Sequence, residues 1–419
     1  MKRTLGLLTL TGIVLLFALV TGFILFTRLL YVLILTLAAS YLWSWLNLRW
    51  LEVQVDRRTL RVHVGQQLDE RITVRNKGWL PKAWLEVVEL TDIQEHYPGR
   101  TVSLAAKGFR SWRASTRPRR RGHYHLGPVR IATGDPFGLF RLERHYTDSQ
   151  RVLVLPAVVP LSRFSTPPAG LPSDGLMRQR SHQVTPHAAS VREYLPCDSV
   201  SRIHWPTSAR LGSLMVKEFD LGLTSDLWII LDLEATVQAQ DEDDSTDELA
   251  VTAAASIARY FLTARLPVGL AVNAGELALL PPDRGHLQDA RILELLAQVK
   301  AEGATPLADA ITNLDPSLSR YTTLVVITPS PSDQWVLALG TLAHRNVRLA
   351  AVLVDGATFG GEKSPREIIP ALVELGILTY LVGKGDNLTK ALGHPFVGQW
   401  DGFASASGNR NFLFKGASP

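Results

Sequence analysis

Two apolar runs decide the fold of the first 48 residues: LGLLTLTGIVLLFALVTGFILFT at residues 5–27 and LLYVLILTLAASYLWSWLNL at residues 29–48. Arg28 is the one charged residue between them. About 20 apolar residues are needed to cross the hydrocarbon core of a bilayer, so each run is long enough for one crossing. A helical hairpin also satisfies its own backbone hydrogen bonds, as lipid requires. We therefore predict a transmembrane helical hairpin over residues 1–48, with its turn at Arg28.

A signal peptide is the competing interpretation, because Lys2 and Arg3 precede the first run. That run continues past the length of a signal peptide, and a second run follows without a cleavage site of small residues. A single long kinked helix is a further alternative. It would place the rest of the chain on the opposite side of the membrane.

Basic residues flank both runs and are, in chain order, Lys2, Arg3, Arg49, Arg57, Arg58 and Arg61. Cationic flanks stay in the cytoplasm, so both ends of the hairpin should face it together with the rest of the chain. Trp43, Trp45 and Trp50 lie near the end of the second run, where tryptophan favours the headgroup region of a bilayer. The chain has one cysteine, Cys197, and thus no internal disulfide framework of the kind found in oxidising compartments.

The rest of the chain, about 370 residues, is long enough for two domains. A hydrophobic fraction of 46% is sufficient for packed cores. The net charge of +5 is a modest basic excess, which suits a protein lying against an anionic leaflet of a lipid bilayer. It gives little reason to expect a nucleic-acid partner, and we expect none.

Short segments of residues 49–160 alternate apolar and polar residues with a period of two, at 51–55, 60–64, 71–75 and 84–88. Turn residues separate them, and no helical pattern intervenes. We predict a β-sandwich-like domain over residues 49–160. Residues 161–190 are rich in Ser, Pro and Gly with little periodicity, which indicates a linker or a long loop.

Residues 223–395 alternate between strand and helix patterns. The continuous apolar run at residues 227–231 is typical of a strand buried on both faces. Further strands are predicted at 268–272, 323–328, 347–354 and 378–382, and helices at 248–266, 287–300, 334–344 and 366–375. This alternation predicts an α/β domain with a mostly parallel sheet, followed by a C-terminal tail over residues 396–419.

Residues 191–222 concentrate cationic, acidic and aromatic side chains at Arg192, Tyr194, Asp198, Arg202, Trp205 and Arg210. Arginine pairs bidentately with carboxylates, so these residues could lock the segment onto the neighbouring domain. They could instead form an exposed surface of arginines and aromatic rings for an acidic partner. Both interpretations remain open at this point.

The pattern Arg192-Glu-Tyr-x-Pro-x-Asp198, followed by Arg202-Ile-His-Trp205, Ala209-Arg210 and Leu214-Met-Val-Lys-Glu218, resembles the signature of the bacterial domain-of-unknown-function 58 family. Supporting features extend over nearly the whole chain: the apolar hairpin, Arg121-Gly-x-Tyr-x-Leu-Gly-Pro128, Asp135-Pro-Phe-Gly-Leu-Phe140 and the α/β tail. Cys197 and Pro206 stand where the family usually has Gly and Lys.

This resemblance implies a protein of the bacterial inner membrane with its globular domains in the cytoplasm. Members are often encoded beside MoxR-type AAA ATPases and beside transglutaminase-like or other von Willebrand A-like proteins, which implies a shared assembly. We therefore expect a membrane-anchored protein-interaction module that is an assembly partner of a MoxR-type AAA ATPase. We expect neither catalytic activity nor a small-molecule substrate.

The tail resembles a von Willebrand factor A-like domain. Such domains hold a divalent cation through an Asp-x-Ser-x-Ser loop, a later Thr and a further Asp. Here Asp232-Leu-Glu-Ala-Thr236 occupies the first loop, Thr305 fits the Thr position, and Ile327-Thr-Pro-Ser330 replaces the last Asp. The alternative function is therefore metal-dependent ligand binding, with Mg²⁺ or Mn²⁺ held by Asp232, Glu234 and Thr305. The competing interpretation is a retained scaffold whose loops bind protein without metal.

Cys197, Asp198 and His204 are the residue types of a thiol nucleophile site, but closeness in sequence is no evidence for the required geometry. HExxH, GxSxG and Rossmann patterns do not occur in the sequence. The sequence therefore predicts no catalytic site.

Overall fold

The computed structural model describes residues 2–57, 59–94, 99–147, 149–166, 188–194, 203–219, 226–241, 244–319, 322–345 and 347–396. The chain divides into an N-terminal unit, Met1–Ala157 with Leu293–Gln298, and a C-terminal unit, Val158–Ile292 with Val299–Pro419. The N-terminal unit contains the apolar helices and a β-rich domain. The C-terminal unit contains residues 191–222, which we call the signature segment, and an α/β domain.

Two long apolar helices come first: α1, Lys2–Thr21, and α2, Ile24–Leu48. Each is long and apolar enough to cross a membrane, with a mean hydropathy of 2.2 over Thr4–Thr21 and 1.8 over Ile24–Leu48. Many of their large apolar side chains are exposed, so much of the outer surface of the pair is apolar.

The turn between the helices lies at Gly22 and Phe23, and the prediction of a turn at Arg28 is wrong. Gly22 has a φ of +61°, a left-handed conformation that glycine adopts without strain. α2 begins at Ile24 and continues through Arg28. A single arginine is tolerated there because its charged head can extend away from the apolar surface that its stem covers.

The β-rich domain contains nine strands within the described residues: β1 Leu51–Arg57, β2 Arg61–His63, β3 Leu68–Asn76, β4 Lys82–Thr91, β5 Arg100–Leu104, β6 Phe109–Thr116, β7 Gly122–Gly134, β8 Arg141–His145 and β9 Gln150–Leu155. One sheet has the order β1-β3-β6. The other has the order β2-β9-β7-β4-β5, with β8 paired to β7. β2 runs parallel to β9, so this second sheet is mixed. Ile72, Leu85 and Ile131 share one buried cluster, and the two sheets therefore pack face to face.

A buried cluster of charged side chains lies beside the β1–β3 pairing. Arg57, with a side chain only 3% exposed, contacts Glu70 at 3.2 Å and also pairs with Glu89. Arg57 therefore does not belong to the accessible basic flank of α2 to which the sequence assigned it. Arg49 and Arg61 are exposed, and Arg58 lies outside the described residues.

The remaining strands are β10 Ala188–Glu193, β11 Met215–Phe219, β12 Leu227–Asp232, β13 Gln240–Asp241, β14 Asp244–Ser245, β15 Val268–Asn273, β16 Leu277–Asp283, β17 Thr323–Thr328, β18 Arg348–Val354 and β19 Leu378–Val382. The remaining helices are α3 Trp205–Leu211, α4 Thr246–Thr263, α5 His286–Gln298, α6 Leu307–Leu314, α7 Gln334–His344, α8 Ile369–Glu374 and α9 Leu388–Ala391.

A six-stranded sheet in the order β16-β15-β12-β17-β18-β19 forms the α/β domain. β16 is antiparallel to β15, and the other neighbours are parallel. Every residue of β12, β15 and β17 is buried, as strands covered on both faces must be. Ile230 and Val326 pack in one cluster with α6, α7 and α8. Side chains alternate along a strand, so α4, which also packs on the sheet, covers the opposite face.

Residues 158–166 pack onto the α/β domain. The ring of Phe164 stacks on Tyr380 with centroids 4.8 Å apart, and the Tyr380 hydroxyl donates to the carbonyl of Ser165 at 2.7 Å. The predicted linker was to begin at residue 161, but these contacts attach its first six residues to the α/β domain. Residues 167–187 of that linker, and residues 397–419 of the predicted tail, lie outside the described residues.

Candidate functional site

Three polar side chains end three neighbouring strands of the α/β sheet. β12 ends at Asp232, β15 at Asn273 and β17 at Thr328. The strands are parallel, so their carboxyl ends meet at one edge of the sheet. β15 lies on one side of β12 and β17 on the other, and this edge is therefore the topological switch point where open α/β sheets bind ligands. We call these three residues the strand-end cluster.

The carboxylate of Asp232 is fully buried and satisfied by hydrogen bonds. The Thr328 hydroxyl donates to Oδ2 at 2.6 Å, and Nδ2 of Asn273 and the backbone amide of Glu234 donate to Oδ1 at 3.3 and 3.1 Å. Burial raises the pKa of Asp232 to about 6, although the hydrogen bonds from Thr328 and the Glu234 amide act in the opposite direction. The carboxyl group of Asp232 is thus held inside the protein by neutral donors.

The other predicted metal ligands are engaged elsewhere. Nδ2 of Asn273 also donates to the carbonyl of Thr305 at 2.8 Å, so Thr305 meets the cluster through its backbone. The Thr305 hydroxyl donates to a backbone carbonyl at 3.0 Å, and the Glu234 carboxylate accepts from the Thr236 hydroxyl. In the described parts of the chain, no group of three or more His, Cys, Asp or Glu side chains could hold a metal ion. Asp232, Glu234 and Thr305 thus make hydrogen bonds to other groups of the protein, and a divalent cation held by these three residues remains a prediction.

Asn273 and Thr328 were not among the candidate site residues predicted from the sequence. Each is the last residue of a continuous apolar run, VGLAVN at 268–273 and TLVVIT at 323–328. A polar residue that ends a buried parallel strand was the available signal, because such positions meet at one sheet edge.

The signature segment folds as a short antiparallel strand pair with a helix between the strands. β10 pairs with β11, and α3 is attached by Ser208, whose hydroxyl accepts from the amide of Met215 at 2.8 Å. His204 caps α3, since its Nδ1 accepts from the amide of Thr207 at 3.3 Å. Of the seven residues of α3, Ser208 alone is buried.

The exposed side of α3 presents large side chains. Trp205 and Leu211 are each 63% exposed, Leu214 beyond the helix is 47% exposed, and Arg210 is also exposed. The packing role considered for Trp205 is therefore not observed. Tyr194 is half-buried.

The other signature residues lie wholly or partly outside the described parts of the chain. The backbone of Arg192 lies in β10, opposite Val216, but its side chain is not described. Asp198 and Arg202 lie outside the described residues, as does Cys197. The arginine–aspartate pairs proposed for this segment thus remain a prediction.

The signature segment and part of the α/β domain are similar to known proteins. Residues 190–358 match the family described as Protein of unknown function DUF58, which confirms the resemblance inferred from the signature residues. The match includes both the signature segment and the strand-end cluster. The uncharacterized protein YeaD of Bacillus subtilis (strain 168) is 26% identical over 268 residues. That alignment spans 61% of this chain and 63% of the relative's length.

Similarity to solved structures is low. The CARDB domain of the PF1109 protein from Pyrococcus furiosus covers 25% of this chain and 91% of its own, with 20% identity and a TM-score of 0.20. A cycloisomaltooligosaccharide glucanotransferase from Paenibacillus sp. covers 79% of this chain and 53% of its own, with 11% identity and a TM-score of 0.17. Neither similarity identifies the fold or the function of the chain.

Proposed function

We propose that this protein is a membrane-anchored protein-interaction module without catalytic activity, and that α3 and the residues around it form its docking surface. The observation that carries the proposal is the exposure of Trp205, Arg210 and Leu211 within the region that matches the family. Tryptophan and arginine dominate the binding energy of protein interfaces once a partner covers them. A seven-residue helix with one buried side chain contributes little to a core, so its large exposed residues are better explained by binding.

The α/β domain follows this surface in the chain. We propose that it is a von Willebrand factor A-like domain whose strand ends are closed by internal hydrogen bonds. The strand order of the six-stranded sheet, its antiparallel edge strand β16 and the position of Asp232 at the end of β12 support this assignment. The partner that we propose, on the basis of the family resemblance, is a MoxR-type AAA ATPase. Von Willebrand A-like or transglutaminase-like membrane proteins would belong to the same assembly.

Affinity capture tests this proposal. The detergent-solubilised full-length protein should recover an AAA ATPase from a membrane extract, and Trp205→Ala with Arg210→Glu should lower the recovery at least tenfold. Leu211→Ala should lower it as well. Leu337→Ala is the matched control, because Leu337 is 71% exposed on α7 of the same unit. Unchanged recovery by folded Trp205 and Arg210 variants would contradict the proposal.

We also propose that α1 and α2 are two spans of the bacterial inner membrane and that both domains lie in the cytoplasm. The length and hydropathy of the helices support the spans. The exposed Arg49 and Arg61, with Lys2 and Arg3 at the other end, support the orientation. Protease added to intact spheroplasts should leave the domains uncut until the membrane is opened. Cleavage in intact spheroplasts would contradict the orientation.

Metal-dependent ligand binding is the second candidate function, and one observation favours it. Oδ1 of Asn273 is buried and accepts no hydrogen bond from the described residues. This oxygen and the carboxylate of Asp232, which Nδ2 of Asn273 contacts at 3.3 Å, are of the ligand type that Mg²⁺ and Mn²⁺ prefer. Calorimetric titration with Mg²⁺ and Mn²⁺ tests this candidate. The absence of both binding heat and a thermal shift at millimolar ion would dismiss it.

A further inference from the structure

The last turns of α2 are joined directly to the β-rich domain. The side-chain amide of Asn47 donates to the carbonyl of Ala83 at 3.0 Å, and the Tyr146 hydroxyl donates to the carbonyl of Leu48 at 2.7 Å. The ammonium group of Lys82 donates to the carbonyl of Leu46. The domain is thus fixed to the helix end without an intervening linker.

A second set of contacts lies further along the helices, at the loop between β7 and β8. The ring of Phe140 meets Tyr41 of α2 edge to face, with centroids 5.7 Å apart. The Thr4 hydroxyl of α1 donates to the carbonyl of Leu139. Tyr41 lies seven residues before Leu48, so this loop reaches about 10 Å along the helix axis from the helix end.

These contacts leave a short free length of helix. Residues 24–40 of α2 precede the first contact and span about 25 Å at 1.5 Å per residue. The hydrocarbon core of a bilayer is about 30 Å thick, and helix tilt shortens the span further. If α2 crosses the membrane, the β7–β8 loop must therefore reach the boundary between headgroups and hydrocarbon.

The end of the β-rich domain that contacts α2, which we call the anchor end, carries residues that suit the boundary between headgroups and hydrocarbon. Phe137 in the loop is 63% exposed, and Asp135 fixes the loop by accepting from the amides of Phe137 and Phe140 at 2.9 and 2.6 Å. Trp84, next to the Asn47 contact, is 74% exposed. Trp79 is 69% exposed, in the turn where the backbone amide of Lys77 donates to the carbonyl of Trp50 at 2.8 Å.

We propose that the anchor end of the β-rich domain is immersed in the interfacial layer of the lipid bilayer, with Phe137, Trp84 and Trp79 as its contacts. The inference rests on the proposed membrane anchor and extends it from the helices to a folded domain. Tryptophan favours the headgroup layer, and phenylalanine enters the acyl boundary below it. The domain is then held at a fixed depth, by both its helices and its own surface.

Spin labels at single cysteines test the proposal. The full chain with Cys197→Ser, reconstituted alone in phosphatidylcholine and phosphatidylglycerol vesicles, would carry Phe137→Cys or Trp84→Cys. The ratio of label collisions with oxygen to collisions with a water-soluble nickel chelate reports depth. Ile34→Cys, 49% exposed within α2, is the lipid reference. Gln67→Cys is the aqueous reference, since Gln67 is exposed and β3 separates it from the anchor end by about 26 Å.

The expected ratio at residues 137 and 84 is several-fold above that at residue 67 and below that at residue 34. Ratios at 137 and 84 equal to that at 67, with residue 34 still in lipid, would overturn the inference and leave the anchor intact. That outcome would also result if the aromatic rings were reserved for a protein partner or if the bilayer thinned around the helices. An aqueous ratio at residue 34 would instead refute the anchor itself.

Discussion

The Thr328 hydroxyl donates a 2.6 Å hydrogen bond to Oδ2 of Asp232, from the end of β17 to the end of the neighbouring β12. Both residues are fully buried, and the hydroxyl oxygen of Thr328 in turn accepts from the amide of Ser330 at 2.9 Å. A neutral donor therefore holds one oxygen of the only carboxylate in the strand-end cluster. This relationship makes the cluster a structural element of the α/β domain as well as a candidate binding edge.

Thr328→Val should destabilise the C-terminal unit by about 1–3 kcal/mol, because it leaves a buried carboxylate oxygen without its donor. Urea unfolding of the detergent-solubilised protein measures the change. Thr312→Val is the control: Thr312 is exposed on α6, so a change within about 0.5 kcal/mol is expected. Equal effects of the two substitutions would show that the Asp232 hydrogen bond contributes nothing to stability.

The sequence was sufficient to locate the strands of the α/β domain because burial on both faces leaves a continuous apolar run. Residues 323–328 and 378–382 were predicted as strands with the bounds of β17 and β19. β16 was missed, since LALLPPD contains two prolines and occupies an edge where that composition is tolerated. α6 was missed because eight residues are too few for a clear helical period.

Three features of the structure depend on contacts or backbone conformation that local sequence patterns do not reveal. Arg57 has the sequence pattern of a membrane-flanking charge, but it pairs with Glu70 and Glu89, 13 and 32 residues further along the chain, inside the β-rich domain. The helix turn was placed at the charged Arg28, although the backbone freedom of Gly22 determines it. Exposure of Trp205 could not be decided from a pattern, because a tryptophan suits both a core and an interface.

Gly303→Ala should destabilise the C-terminal unit by about 1–3 kcal/mol through a steric clash. A Cβ at this position would lie 2.9 Å from the backbone nitrogen of Gly275 and 3.2 Å from the carbonyl oxygen of Leu233, and neither backbone atom can move freely. Gly340→Ala is the matched control on α7, where the nearest atom is 3.9 Å away. The Gly340→Ala substitution should stabilise the protein by about 0.5–1 kcal/mol, since alanine is a better helix former than glycine. Thermal unfolding should therefore shift in opposite directions for the two variants.

Glu70 should make the stability of the N-terminal unit depend on pH. Burial, and then the neighbouring Glu89 carboxylate, raise the pKa of Glu70 from 4.5 to about 8, with Arg57 opposing the shift. The folded state thus binds a proton that the unfolded chain has already lost between these two values. The contribution of Glu70 to stability should be greatest below the lower value and fall as pH rises toward about 8, by at most about 1.4 kcal/mol per pH unit.

Glu70→Gln should remove this fall, because the amide mimics the protonated carboxyl group and does not titrate. The free energy of unfolding, measured by urea titration across this pH range, provides the test. Glu143→Gln changes a carboxylate that is 51% exposed, so the pH dependence should persist in that variant. Loss of the dependence in both variants, or in neither, would exclude Glu70 as its source.

Lys82→Met should loosen the junction between α2 and the β-rich domain. Lys82 is 1% exposed, and its ammonium group donates to the carbonyl of Leu46, which also accepts from the backbone amide of Arg49 at 3.3 Å. A cation is favoured at this end of the helix. Methionine fills the space of the lysine stem but supplies no hydrogen-bond donor. The free energy of unfolding should therefore fall by about 1–3 kcal/mol. Hydrogen exchange in the last turn of α2 should accelerate on the order of tenfold. Lys77→Met, at an ammonium 60% exposed, should leave that exchange unchanged. Equal exchange in the Lys82 and Lys77 variants would show that the domain is held to α2 by Asn47 and Tyr146 without the lysine.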